Sequence, residues 1–269
     1  MPDFTDNYTT IRCWKAHQVV TVELNRPEKR NAINSLMRDE LAQVMFKIKQ
    51  DRDIKVLVLR GAGGAFCSGG DIHSMTDDTQ AEQSRDRMQN LQRVIYDLFT
   101  LERPVIAAIN GPAYGAGLGL ALTADLIIAS PTAKFCLSFL RLGAVPDCGT
   151  FYSLPRLVGL NTAKQLAFST REFNSQEALD LGIISAIYKE DLLYTQAEYM
   201  AQQLAKLPLS SLSITKRAFN ASLDSDLNTM LEIEALGQGI ARSTDFHQQA
   251  VKNFKEKKPP IFSNLLQTK

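Results

Sequence analysis

Three apolar runs, Val56-Leu57-Val58-Leu59, Val105-Ile106-Ala107-Ala108-Ile109 and Leu126-Ile127-Ile128-Ala129, constrain the fold more than any other feature of the chain. A strand with one wet face alternates apolar and polar residues, whereas a strand apolar at every position is of the buried type found in parallel sheets covered by helices. Helical patterns separate the runs. Leu36, Met37, Leu41, Val44, Met45 and Ile48 recur at helical spacing behind a cap at Asn34 or Ser35. A polar helical stretch lies around Arg85 to Phe99, and a small-residue helix covers about 116–124. Val19 to Leu24 alternates, is rich in β-branched residues, and reads as an earlier strand ending at Asn25-Arg26-Pro27. Strands alternating with helices predict an α/β fold with parallel strands, whose ligand sites lie at the strand C-terminal ends.

After about residue 195 the strand signals stop, and helical patterns run over 196–207, 210–223, 227–242 and 245–257 before Pro259-Pro260. This change of texture divides the chain into an α/β core, 1–195, and a helical region, 196–269. The polar segment 73–85 reads as a mobile surface loop.

Charge and cysteine content narrow the function. With 30 Lys and Arg against 29 Asp and Glu, the net charge is +1, so the broad basic surface expected of a nucleic-acid-binding protein is missing. Cys13, Cys67, Cys136 and Cys148 lack CxxC spacing and suggest reduced thiols of the cytoplasm. The acidic, polar start does not resemble an export signal. The stretch from Leu118 to Ser130 is broken by Thr123 and Asp125 and falls short of the about 20 residues that span a bilayer, so a soluble protein is expected.

Glycine-rich loops follow two of the strands: Ala65-Phe66-Cys67-Ser68-Gly69-Gly70-Asp71 and Asn110-Gly111-Pro112-Ala113-Tyr114-Gly115-Ala116-Gly117-Leu118-Gly119. Small residues let backbone N–H groups approach a ligand, and two such loops at adjacent strand ends can aim two amides at one oxygen, forming an oxyanion hole. Other readings fit less well. A dinucleotide fingerprint needs different glycine spacing and an acidic residue about 20 positions on. A serine-hydrolase elbow at Ser68 needs glycine where Phe66 stands. His17, His73 and His247 are scattered, so no metal site is expected. Tight packing at strand-to-helix turns remains an alternative for either glycine loop taken alone.

Taken together, five segments in order resemble the enoyl-CoA hydratase/isomerase (crotonase) superfamily over nearly the whole length. They are Asn25 to Asn34, Ser68-Gly69-Gly70-Asp71, Asn110-Gly111 with its glycine run, Leu142-Gly143-Ala144-Val145-Pro146-Asp147, and Glu177 to Ile184. The ending Phe254 to Phe262 also resembles that family's C-terminal signature. The resemblance implies a spiral of ββα units followed by a helical trimerisation region, assembled as a homotrimer or dimer of trimers, acting on acyl-CoA thioesters. It places the paired oxyanion amides on Gly70 and Ala116. It sets Lys29, Arg30 and Ala32 beside coenzyme A, with Phe254 and Lys257 reaching in from a C-terminal helix of the same or a neighbouring subunit. A solvated turn is the alternative for Lys29 and Arg30. Coenzyme A enters as part of the substrate, and no separate cofactor or metal is implied.

The chain departs from the family's hydratases at both catalytic glutamates, for Gly119 and Phe139 stand at those positions. Asp147 remains. Its surroundings, Pro146-Asp147-Cys148-Gly149 with Leu154-Pro155-Arg156 and Gly159, resemble the phenylacetate-pathway enoyl-CoA isomerases of the superfamily. Dienoyl-CoA isomerases also place an acid there. So do the chlorobenzoyl-CoA dehalogenases, but their auxiliary Trp and His are unmatched. The structural alternative is a turn aspartate capping a helix through Tyr152. The leading expectation is an enoyl-CoA isomerase in which Asp147 moves a proton between C4 and C2. A hydratase using Asp147 alone and a non-catalytic acyl-CoA-binding or assembly protein are the alternatives.

Overall fold

The computed structural model describes residue 4 and residues 8–72 and 81–266. The chain opens with the antiparallel hairpin β1 (Ile11–Ala16) and β2 (Val19–Leu24), then runs through α1 (Ser35–Gln50) into β3 (Val56–Gly61). α2 (Ala81–Phe99) leads to β4 (Val105–Ile109), a short β5 (Ala113–Tyr114) and α3 (Ala116–Ala121). There follow β6 (Leu126–Ala129), β7 (Lys134–Cys136), α4 (Thr150–Val158), α5 (Leu160–Ser169), β8 (Glu172–Asn174), α6 (Ser175–Asp180) and β9 (Ala186–Ile187). The chain closes with α7 (Glu190–Ala205), α8 (Leu209–Ser222), α9 (Leu227–Arg242) and α10 (Asp245–Lys255).

Six strands form one sheet in the order β1-β2-β3-β4-β6-β9, parallel from β2 onward, and β5-β7-β8 form a second, smaller sheet. Successive strand residues point to opposite faces, and both faces are dry. Leu57, Leu59, Val105, Ala107, Ile109, Ile127 and Ala129 join the core packed under α1 and α2. Val56, Val58, Ile106, Ala108 and Ile128 meet Leu193, Ala197, Met200, Ala201 and Leu204 of α7 on the other side. This is why the runs are apolar at every position. The result is an α/β spiral core with a C-terminal helical region.

Two sequence boundaries move. The change of texture placed at 195/196 falls inside α7, which covers the sheet. Losing strand signals did not mean leaving the core, because a helix buries its apolar stripe at a period the strand pattern does not show. The surface loop expected over 73–85 lies outside the described residues as far as 80, and from Ala81 the chain is already α2. Ala81, Glu82, Gln83 and Arg85 are polar or small but good helix formers, so polarity alone misread them as loop.

α8 is tied to the core by an ion pair between a buried lysine and a partly exposed aspartate. Lys216 Nζ lies 2.8 Å from Asp125 Oδ2 and donates to the Arg103 carbonyl at 3.2 Å, while the Val105 N–H donates to the same carboxylate at 2.7 Å. Burial pushes the Asp125 carboxyl up and the Lys216 ammonium down in pKa, each toward its neutral form, and the pairing opposes both shifts. Lys216→Met leaves a partly exposed carboxylate without its cation, and because water can solvate it in part the cost is about 1–2 kcal/mol. The expected outcome is a lower denaturation midpoint in a urea titration. An unchanged midpoint would mean that the pair contributes nothing net.

Candidate active site

The two glycine loops are sewn together by backbone hydrogen bonds. Cys67 N–H donates to the Pro112 carbonyl at 3.0 Å, and Tyr114 N–H returns to the Cys67 carbonyl at 2.9 Å. Gly117 allows this approach, since a Cβ there would stand 2.2 Å from the Cys67 carbonyl oxygen. The first loop is fixed on its other side by Ile33, whose N–H donates to the Gly69 carbonyl at 2.8 Å and whose carbonyl accepts from Asp71 N–H at 3.0 Å. In such a parallel bridge the intervening residue, Gly70, turns its N–H away from Ile33. Ala116 is the first residue of α3, where an N–H has no intrahelical acceptor. Among the described residues neither amide donates to a protein acceptor. The Ala116 nitrogen lies 3.7 Å from the point where a Cβ on Gly69 would stand, so the two amides are neighbours.

Arg26 and Asn31 hold this arrangement, a role the sequence reading did not assign. Arg26 Nη1 donates to the Ala32 carbonyl at 2.6 Å and to Asp71 Oδ2 at 2.9 Å. The Asn31 side chain donates to the carbonyls of Ala62 and Ala65 at 2.9 and 2.8 Å and accepts from Arg26 N–H at 2.8 Å. Asn31 adopts φ 56°, a left-handed conformation that Asn tolerates better than most residues. The signal was therefore present in the residue type. Lys29 and Arg30 are exposed at the turn, with Ser68 N–H donating to the Arg30 carbonyl at 2.9 Å, and Ala32 is buried.

Phe254 and Lys257 stand apart from this turn within one chain. Phe254 is 84% exposed at the end of α10, and among the described residues no hydrogen bond or ion pair joins α10 to Lys29 or Arg30. A cavity of about 820 Å³ lies between the core and α8 to α10, walled by Phe99, Leu122, Ile127, Tyr152, Leu212 and Phe219 among others. Gly70, Ala116 and Asp147 do not line it.

Asp147 sits in the turn leading into α4, packed against α3 one turn beyond Ala116. A Cβ on Gly119 would meet the Asp147 carbonyl oxygen at 3.1 Å, Cys148 Cβ at 2.5 Å and Thr150 Oγ1 at 2.9 Å. Asp147 Oδ1 is buried with no hydrogen-bond partner. Burial pushes its carboxyl above the ordinary carboxylate value, and the neighbouring Cys148 thiol opposes that shift. Cys67 lies close enough to feel the carboxylate and is pushed up to about 12, chiefly by burial, so its thiol stays neutral. α4 is capped at Gly149, and the buried Oδ1 of Asp147 accepts no N–H from the helix, which weighs against the turn-aspartate alternative. Phe139, at the position of the second hydratase glutamate, is buried, and its ring edge would lie 3.8 Å from a Cβ on Gly115.

The constellation is two amides without a protein acceptor among the described residues, on paired loops, and one half-buried carboxyl with an unpartnered Oδ1 on the adjoining turn. That fold and site define a class of acyl-thioester enzymes, and comparison with known proteins gives the family. The enoyl-CoA hydratase/isomerase family model matches residues 15–265, and the chain belongs to that family within the crotonase superfamily. It is 34% identical over 249 residues to the 1,2-epoxyphenylacetyl-CoA isomerase of Escherichia coli K12, covering 91% of this chain and 95% of that protein. The short-chain-enoyl-CoA hydratase of Clostridium acetobutylicum is 33% identical over 245 residues, with 91% and 94% covered. The crystal structure of an enoyl-CoA hydratase/isomerase from Cupriavidus metallidurans CH34 superposes with a TM-score of 0.92 at 39% identity, covering 98% of this chain and all of the other.

Proposed function

We propose that this crotonase-superfamily enzyme is an enoyl-CoA isomerase that moves a β,γ double bond to the α,β position. The Gly70 and Ala116 N–H groups receive the thioester oxygen. Asp147 takes a proton from C2, the electron pair delocalises onto that oxygen and C4, and the same carboxyl returns the proton to C4. The carrying observation is the unpartnered, buried Oδ1 of Asp147 beside α3. A single base suffices for a proton shuttle, and donors of this kind contribute about 3–4 kcal/mol each to transition-state stabilisation. The relative named an isomerase of an epoxyacyl-CoA supports isomerisation of an acyl-CoA thioester in general. Lys29, Arg30 and Ala32 would bind coenzyme A, joined by Phe254 and Lys257 from a neighbouring subunit of a homotrimer or dimer of trimers. Coenzyme A is then part of the substrate, no further cofactor is required, and the cytoplasm is the proposed compartment.

A hydratase using Asp147 alone is the second reading, favoured by the relative named a hydratase. Turnover of a 3-enoyl-CoA measured beside hydration of crotonyl-CoA separates the two. Isomerisation is expected to dominate, and deuterium placed at C2 is expected to appear partly at C4 of the product. Dominant hydration would select the second reading. No turnover across a panel of enoyl-CoA thioesters would leave an acyl-CoA-binding protein.

A further inference from the structure

Gly119 has no Cβ, and the space a Cβ would take is filled by the turn that carries Asp147. Three separate atoms occupy it: Cys148 Cβ at 2.5 Å, Thr150 Oγ1 at 2.9 Å and the Asp147 carbonyl oxygen at 3.1 Å. One of them is backbone, one is the stiff first carbon of a side chain, and one belongs to a side chain only 3% exposed, so none can swing aside. Two features show that the turn is held there against a cost. Thr150 Oγ1 is buried without a partner, and Cys148 adopts φ 51°, a left-handed conformation that disfavours a residue with a Cβ. Thr150 N–H also donates to the Asp147 carbonyl at 3.0 Å, so displacing either residue displaces the other.

We infer that Gly119 is a positioning residue for Asp147: its bare Cα lets the 147–150 turn seat against α3 and sets the depth of the carboxyl in the site. The inference rests on the reading of Asp147 as the acid and base. Any side chain at 119 and the seated turn compete for one volume, so a carboxylate at 119 cannot be added to the present arrangement without unseating the one at 147. Proton transfer requires donor and acceptor within hydrogen-bond reach, and a displacement of about 1 Å can cost 10²-fold in rate. Cys148 is the point of closest conflict. Changing it to glycine removes the nearest atom and relieves the left-handed conformation as well.

The test compares Gly119→Ala, Cys148→Gly and the double variant in the full-length enzyme, with far-UV circular dichroism, calorimetric titration of coenzyme A, and kinetics on a 3-enoyl-CoA. Gly119→Ala is expected to stay folded and bind coenzyme A as the wild type does, while kcat falls about 10- to 100-fold with little change in KM. Adding Cys148→Gly is expected to restore most of the lost kcat. Wild-type kcat in Gly119→Ala would overturn the inference. So would a loss that Cys148→Gly fails to rescue, or one accompanied by unfolding or loss of coenzyme A binding, since Gly119 would then serve packing alone. If Asp147→Asn retains full activity, the parent reading of Asp147 fails and the inference fails with it, whereas an inactive Asp147→Asn beside a fully active Gly119→Ala removes only the inference.

Discussion

Asp147→Asn is expected to lower kcat for 3-enoyl-CoA isomerisation by about 10²–10⁴-fold, leave coenzyme A binding intact, and raise thermal stability at neutral pH. The activity loss follows because an amide of the same size cannot accept the C2 proton. The stability gain follows from linkage. Burial holds the folded-state pKa of Asp147 above the ordinary value of 3.8, so the native state favours the neutral acid and ionisation at neutral pH weakens folding. The raised pKa favours folding fully below the unfolded value, and this contribution disappears as pH rises through the folded one. Asn stays neutral throughout. Its advantage in melting temperature over the wild type should therefore vanish in acid and grow as pH rises above the ordinary carboxylate range. The acid limb of wild-type kcat should lie above that range too. An Asn variant with full turnover and no stability gain would make the aspartate a plain turn residue.

Ala116→Pro is expected to cost at least about 10²-fold in kcat, because it deletes one of the two amides proposed to receive the thioester oxygen while leaving every other side chain in place. Proline is tolerated at the first position of a helix, where its missing N–H breaks no intrahelical bond, and Ala116 occupies that position in α3. Circular dichroism matching the wild type is the condition for reading the kinetics. A folded variant turning over at the wild-type rate would remove Ala116 from the oxyanion assignment.

The legibility of this protein in its sequence was uneven, for physical reasons. β3, β4 and β6 were plain, because strands buried on both faces advertise themselves by unbroken apolar runs, and β2 showed itself by its alternating, β-branched pattern. β1 was missed. Arg12 and Lys15 interrupt its pattern, and only pairing with β2 makes it a strand. β5, β7 and β8 have two or three residues each, too few for any period to register. α9 was placed at its observed bounds from its periodicity alone. Within the site, Asp147 was singled out by its motif, but the dryness of its Oδ1 was invisible. The absence of both hydratase glutamates was equally plain in the sequence. The occupation of the space beside Gly119 was not, because a glycine in a helix says nothing about what packs against it.

By itself the sequence determined the layered α/β architecture, the two glycine loops at strand ends and the family, since each depends on residue types and spacing along the chain. Only the tertiary structure decided how these parts are brought together. The direction of the Gly70 amide is set by Ile33, the approach of the two loops by Cys67 and Pro112, and the loop anchor by Arg26 reaching Asp71. Those partners are far apart in the chain, and hydrogen-bond direction has no linear signature. The protonation of Asp147 likewise depends on the atoms that exclude water from it, and only the folded chain brings those atoms together.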